Sequence, residues 1–303
     1  METQILGEPA ARRSNNPLII NACLTGIVST KAANPRLPIS VAEIVDDAGA
    51  VVAAGASMLH IHARHADGAP DWRPEAYARI IEGIRVVAPD AIIVATTSGR
   101  IHTSFEQRAA VLDLDGGARP DMASLTLGSL NFPAGVSANP PDIIQELATR
   151  MHARGILPEL EVLDFGMLNY AHYLVRKNIL TGPCYVNLLL GSLGAAPARV
   201  DDLCHLVREI PDNWTWAATG IGQFQLPINA AAIVMGGHVR VGLEDNLYYD
   251  EQRRVAASNR MLVERVVRLA QELERPISSV QETRTRLGLL QPGGTRVTRL
   301  DLR

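Results

Sequence analysis

The sequence predicts an α/β fold of the (β/α)8 (TIM) barrel type, built as a single domain. Three observations carry that prediction. Short apolar runs of strand length alternate along the chain with longer segments of helical period. Eight such pairs fit into roughly 270 residues, about the size at which eight parallel units close into a cylinder. No proline- or serine-rich linker interrupts the alternation, so the 303 residues are not read as two domains. A doubly wound open sheet is the alternative that the same alternation allows.

In chain order, strands are expected at Pro17–Leu24, Ser57–Ala63, Ala91–Thr97, Met122–Leu127, Leu157–Leu163, Cys184–Leu190, Trp214–Thr219 and His238–Leu243. The helices between them begin with Val41–Ala54, behind the candidate N-cap Ser40, and Pro74–Val87, with proline in its first turn. Phe105–Leu114, Pro141–Arg154, Met167–Lys177, Pro197–Glu209, Leu226–Met235 and Glu251–Leu273 follow. The barrel is therefore expected over residues 17–290. A polar N-terminal tail, 1–16, precedes it, and a tail or subunit-docking arm, 291–303, follows it.

Composition narrows the function. Hydrophobic residues make up 47% and charged residues 20% of the chain, enough apolar surface for a sizeable core. With 29 basic and 32 acidic residues the net charge is −3, without the basic footprint of a nucleic-acid binder. Aromatic residues, at 4%, are too few for a base-stacking platform. No apolar run approaches the ~18 residues that read as a membrane span, and the N-terminus lacks an apolar signal core. Cys23, Cys184 and Cys204 form no C-x-x-C pair. A disulfide framework is not expected, and a cytoplasmic location is.

Chemistry is read from alternation. On a strand, every second side chain shares a face. In Leu59-His60-Ile61-His62-Ala63-Arg64, His60 and His62 share one face, near the end of the strand where barrel enzymes carry their sites. Such a pair suits a divalent metal; a hydrogen-bonded core pair is the alternative. In the last strand and its continuation, His238, Arg240, Gly242 and Glu244 share a face. An inward Arg and Glu need partners. Glu244 completes a His₂Glu set with open positions, as in catalytic zinc sites; an Arg240–Glu244 structural pair is the alternative. Glu159 and Glu161 share a face of the fifth strand, so at least one needs a cation or a proton.

Other signals are weaker. Thr25-Gly26, Thr96-Thr97-Ser98-Gly99-Arg100 and Ser124-Leu125-Thr126 offer hydroxyls and amides to a carboxylate, but these are also ordinary turn residues. Gly194-Ala195-Ala196-Pro197 could open a phosphate-facing helix. His65, His102 and His205 are read as surface groups, and Trp214 and Trp216 as packing. No G-x-S-x-G elbow or phosphate-binding loop of the Walker type is present.

Four motifs together resemble one family. They are Asn21-Ala22-Cys23-Leu24-Thr25-Gly26, the His60–Arg64 stretch with Leu59, Gly220-Ile221-Gly222, and the run from Gly236 through His238-Val239-Arg240-Val241-Gly242-Leu243-Glu244-Asp245-Asn246. The resemblance is to the β-keto acid cleavage enzymes and spans about Pro17 to Leu290. It implies a zinc barrel, with another divalent metal as the alternative ion. It also implies condensation of a β-keto acid with the cosubstrate acetyl-CoA, giving acetoacetate and a shorter acyl-CoA. By that resemblance His60, His62 and Glu244 fall on the metal ligands, and Asp245 on the general base. Arg240 falls on the cation that steadies developing charge, and Glu161 on a second carboxylate. Thr97, Ser124 and Thr126 fall on positions that hold the keto acid's carboxylate, helped by Gly99 and Arg100.

The chain also departs from the family's pattern. Val28 stands where the amino-acid-cleaving member has a glutamate for its substrate's ammonium, so a substrate lacking the 5-amino group is expected. Arg100 replaces a glycine, Thr126 an asparagine, and Gln223 an arginine after Gly-Ile-Gly. A homo-oligomer, dimer or tetramer, is expected. A metal-dependent aldolase or hydrolase working on a keto acid without CoA is the rival enzyme reading. A sensor on a degenerate barrel is the non-enzyme rival.

Overall fold

Backbone hydrogen bonds run from strand to strand around a complete circle. The structure, a computed structural model, describes residues 16–291. The strands are β1 (Ile20–Cys23), β2 (Met58–Ile61), β3 (Ile92–Ala95), β4 (Met122–Thr126), β5 (Leu157–Val162), β6 (Tyr185–Leu190), β7 (Thr215–Gly220) and β8 (His238–Val241). Each is parallel to its neighbours, and β8 returns to β1 to close the barrel. Closure fixes register: Ala22 lies opposite Val241 on one side and Leu59 on the other. The stretches expected as tails lie outside the described residues, except for Asn16 and Gln291.

The helices follow their strands in order: α1 (Val41–Ala53), α2 (Pro74–Val87), α3 (Phe105–Ala109), α4 (Pro141–Ala153), α5 (Phe165–Arg176), α6 (Val200–Arg208), α7 (Gln225–Val234) and α8 (Asn259–Glu272). Ser40 caps α1 in a reciprocal capping box with Glu43, which satisfies two otherwise unpaired N–H groups. Pro74 opens α2, where a missing N–H costs nothing.

Three expected helices are shorter in the structure. Phe105–Leu114 divides into α3 and a 3-10 turn, Ala110–Asp113, because Arg154 takes the carbonyls of Leu112, Asp113 and Leu114. The segment expected from Pro197 becomes helical only at Val200; just upstream, Ala196 is bonded through both its backbone groups to Leu163 and Gly191. The segment expected from Glu251 begins at Asn259, capped by Ser258. Before it, the Asp250 carboxylate accepts from the Arg254 and Val255 amides and holds a loop.

Two short hairpins and a ninth helix lie outside the expected elements. The hairpins pair Ala63–Arg64 with Pro70–Asp71 and Leu130–Phe132 with Gly135–Ser137. The helix is α9 (Val280–Leu287), again with a capping box, Ser279 with Glu282. It brings Leu287 beneath the barrel, where the side chain joins Ile19, Met58, Ile92, Val94, Met122, Leu157, Tyr185 and Ala217 in a dry floor. A larger apolar layer fills the space between strands and helices. Above the floor the lumen turns polar, with Asn21, His60, Ser124, Glu159, Asn187 and Arg240 all buried. A barrel interior is ordinarily packed with branched apolar side chains. This polar upper half therefore marks the site.

His238 belongs to the lower part of the barrel. Its Nδ1 accepts the Ile19 amide at 3.0 Å. Burial, with Arg275 and Arg286 adding positive charge, holds its pKa well below the ordinary 6.5. The unfolded chain therefore binds a proton that the folded chain refuses, and stability is lost as pH falls below about 6.5. We expect this residue to contribute about 1.4 kcal/mol per pH unit to that acid limb. His238→Asn, which keeps an acceptor for Ile19, should flatten the limb in urea melts between pH 6.5 and 5. An unchanged slope would show that His238 is not its source.

Candidate active site

The site is built where β2 and β8 meet across β1, at the C-terminal ends of the strands. Strand alternation turns His60 and His62 into the lumen beside Arg240, and the turn after β8 delivers Glu244 and Asp245 to the same place. The His60 and His62 Nε2 atoms stand 3.1 Å apart, and His62 Nε2 lies 3.2 Å from Glu244 Oε1. His60 Nε2 is 3.8 Å from Glu244 Oε2, and that oxygen is buried without a hydrogen-bond partner. Ligand atoms of these three residues all fall within 4.8 Å of one another.

Glu159 fixes the orientation of the first imidazole. It is fully buried and accepts from Asn21 at 2.7 Å, Asn187 at 3.1 Å and His60 Nδ1 at 2.8 Å. With Nδ1–H committed to Glu159, a neutral His60 presents the Nε2 lone pair to the shared point. Two such lone pairs at 3.1 Å repel each other unless a proton or cation lies between them. Together with the orphaned Glu244 oxygen, this donor set fits a divalent ion with nitrogen and oxygen ligands. His60, Glu159 and Glu161 also fall within 4.8 Å of one another. Glu159, however, already meets Asn21, Asn187 and His60.

Arg240 is the electrostatic hub. Its Nη2 donates to Glu244 at 2.7 Å, its Nε to Asp245 Oδ2 at 2.9 Å and its Nη1 to Glu161 at 3.4 Å; Glu159 lies 4.0 Å away. Burial works against its charge, but Asp245 and Glu244 outweigh that and raise its pKa well above the ordinary value. For Glu244 burial is likewise overcome, by Arg240 and the two histidines, and its carboxyl is held well below the usual range. Burial raises the Glu161 carboxyl and is only partly offset by Arg240. Burial lowers the pKa of His62, which favours the neutral imidazole.

Asp245 is held from three sides. Arg240 reaches both its oxygens, Cys23 Sγ donates to Oδ2 at 3.2 Å, and its carbonyl accepts the Gly222 amide at 2.7 Å. The last bond gives Gly220-Ile221-Gly222 a concrete place in the site. Gly26, at φ +64°, is also constrained, because a Cβ there would meet Glu244 Cγ at 2.6 Å.

A cavity of about 420 Å³ opens over this cluster. His60, His62, Arg240, Glu161, Glu244 and Asp245 line its base. Val28, Thr96, Ser98, Arg100, Thr126 and Phe132 are among its walls. Thr126 donates to Glu161 at 2.7 Å. Thr97 and Ser124 are bonded to each other, Thr97 Oγ1 to the Ser124 carbonyl at 2.5 Å and the Thr97 amide to Ser124 Oγ at 3.1 Å. Neither is among the residues lining the cavity. Gly99 packs on Arg108, where a Cβ would come within 2.6 Å of Nη1. Gln223 lines a separate cavity of about 370 Å³ with Tyr248, Tyr249 and Arg253.

Sequence reading missed several members of the site. Cys23 sat in a quoted motif without an assigned contact. Asn21 and Asn187 are single amides, legible only as polar interruptions on an inward face. Thr96 and Ser98 were read only as part of a weak hydroxyl-rich stretch, because the chain leaves the strand at Ala95, where alternation stops being a guide. Arg108, which holds the Thr97 and Ala138 carbonyls and Asn139, gave no signal on a short helix.

With this geometry in view, the sequence profile described as beta-keto acid cleavage enzyme matches residues 17–289. The chain belongs to that family. A 3-oxoadipate:acetyl-CoA acetyltransferase of Cupriavidus necator is 39% identical over 276 residues, covering 90% of this chain and 95% of the relative. A 3-keto-5-aminohexanoate cleavage enzyme of Fusobacterium nucleatum is 40% identical over 273 residues, covering 90% and 98%. Among solved structures, the ternary complex of ObcA with C4-CoA adduct and oxalate superposes with TM-score 0.76 at 21% identity, over 84% of this chain and 68% of the other. A 3-dehydroquinate dehydratase from Geobacillus kaustophilus does so at 0.52 and 12%, over 86% and 91%. The two structural likenesses confirm the barrel. As a β-keto acid cleavage enzyme, the chain is an enzyme of carbon–carbon bond cleavage. No helix of the described residues is long and apolar enough to cross a membrane.

The Glu159–His60 bond makes a test of the metal centre. Removing such an outer carboxylate typically weakens metal binding about 10–100-fold. Glu159→Gln should lower zinc affinity by that factor in a chelator competition titration, with the fold intact by circular dichroism. Wild-type affinity in the variant would count against His60 as a ligand.

Proposed function

We propose that this protein is a zinc-dependent β-keto acid cleavage enzyme. It condenses a β-keto acid with acetyl-CoA to give acetoacetate and the CoA ester of the shortened acid. The observation that carries this reading is the convergence of His60, His62 and Glu244 beside Asp245 and Arg240 at the base of one cavity. The acetyl-CoA in the name of the Cupriavidus relative supports the cosubstrate.

His60, His62 and Glu244 would hold the ion, which supplies Lewis-acid polarisation of a carbonyl oxygen. Asp245 takes the proton from the carbon between the two carbonyls, a position already acidified by both. Cys23 and Arg240 keep its carboxylate aimed, and the Gly222 amide anchors its backbone carbonyl. Arg240 balances the negative charge that develops, a role worth about 3 kcal/mol per donor in comparable sites. Glu161, whose pKa is raised by burial, stands across Arg240 as the second carboxyl. Thr126, which donates to Glu161, would with Thr96 and Ser98 receive the keto acid's carboxylate; their place on the cavity wall supports this. Thr97, Ser124 and Gly99 shape that wall from behind. The deprotonated carbon attacks the thioester carbonyl. The CoA thiolate then moves to the original keto carbonyl, the old carbon–carbon bond breaks, and the acetoacetate carbanion so released takes back the proton from Asp245. The reading includes a cytoplasmic homo-oligomer, dimer or tetramer; the free thiols of Cys23, Cys184 and Cys204 suit a reducing compartment.

Val28 is 58% exposed and lines the cavity with no charge to offer an ammonium group. The substrate accordingly lacks the 5-amino group. A kinetic panel should place the 5-amino acid below uncharged and anionic β-keto acids, and Val28→Glu should raise its relative kcat/KM. A wild-type preference for the 5-amino acid would refute this.

The reaction itself is tested by following acetoacetate with zinc-loaded protein. Formation should require acetyl-CoA, and Asp245→Asn should reduce kcat by about 10²–10⁴-fold, the usual span for a general base. Turnover that persists without the thioester, or at wild-type rate in Asp245→Asn, would overturn the proposal. Elemental analysis should find zinc as the bound ion.

A further inference from the structure

Two guanidinium groups line the cavity, Arg100 and Arg240. Carboxylates surround Arg240. Arg100 sits over the Phe132 ring, its Cζ 3.9 Å from the centroid. Among the described residues no carboxylate oxygen comes within the 4.0 Å of an ion pair with it. Burial lowers its pKa from the ordinary value, as befits a charge partly stripped of water without an ionic partner. A guanidinium stays protonated at any working pH. The cavity wall thus holds a permanent, oriented cation with its ion-pairing capacity unused.

The keto acid has a carboxylate beside the carbon that loses its proton, so that group must lie near Asp245. Arg100 pairs with none of Glu161, Glu244 or Asp245 and stacks on Phe132 instead, outside the charged cluster around Arg240. Whatever it binds lies farther along the substrate. A cationic end there would be repelled, and Val28 offers nothing to offset that. A neutral end would cover Arg100 without pairing it, which is costly for a charge. A carboxylate end would take two N–H bonds in the fork geometry that arginine favours.

We infer that Arg100 binds a second carboxylate at the far end of the substrate, and that the enzyme acts on dicarboxylic β-keto acids. This rests on the reaction proposed above and names its substrate class. The bond between the keto carbonyl and the CH₂ next to the first carboxylate breaks. That CH₂ carbon loses a proton to Asp245 and bonds to the acetyl carbonyl, the CoA thiolate passes to the keto carbonyl, and the acetoacetate carbanion released takes the proton back. The far carboxylate therefore leaves on the acyl-CoA product.

The test uses zinc-loaded enzyme with acetyl-CoA and two six-carbon keto acids, 3-oxoadipate and 3-oxohexanoate. The wild type should favour the diacid in kcat/KM by about 100-fold, the order expected of charge-assisted hydrogen bonds to a half-buried arginine. In Arg100→Met the ratio should fall to within about threefold, and Arg100→Lys should keep part of it. Calorimetry should show glutarate binding more tightly than hexanoate, with the difference lost in Arg100→Met. A wild type indifferent to the far carboxylate would overturn the inference. So would a ratio that survives in Arg100→Met. Two other results would do the same: an equal KM rise for both keto acids, which would put Arg100 on the shared carboxylate, or a rise confined to acetyl-CoA. If no keto acid is cleaved while glutarate still binds through Arg100, the anion site stands and the proposed reaction falls.

Discussion

One buried guanidinium organises the upper half of this barrel. Arg240 is encircled by Glu159, Glu161, Glu244 and Asp245, all within 4.0 Å. Four carboxylates could not remain ionised together in a dry lumen, and a lone arginine could not remain there unpaired. Their mutual dependence also sorts their chemistry: Glu244 is pressed toward the anion, while Glu161 is allowed to rise. The arginine thereby holds the Glu244 carboxyl well below the usual range while Asp245 pairs with its Nε. A neutral residue at this position would leave the carboxylates to neutralise themselves by taking up protons.

Support for this centre comes from strands distant in the sequence. Asn21 on β1 and Asn187 on β6 both donate to Glu159 on β5, which in turn holds His60 on β2. These four side chains come from four different strands, and closure of the sheet brings them together. A mismatch of one residue in register would turn the whole set outward. The dry floor below and the helix layer outside secure that register, so packing far from the cluster sets its geometry.

How much of this was legible in the sequence follows from the same arrangement. Eight strands and the order of eight helices could be read because parallel units repeat a strong apolar pattern. His60, His62, Arg240 and Glu244 stood out because polar residues at every second position break that pattern. Glu159 was visible as half of a carboxylate pair, but its partners were not, since single asparagines have no spacing to betray them. The wall after β3 failed for another reason. Alternation assigns faces only while the chain stays in the pleat, and Thr97 lies beyond its end, bonded to Ser124 and not lining the cavity. The two hairpins are too short to carry a period at all.

The seal beneath the barrel limits approach from below. With Leu287 wedged under the strands, the lumen is a cul-de-sac, and traffic to Asp245 passes through the mouth above. Whatever occupies the depth of such a dead end is walled off from solvent on every side but one.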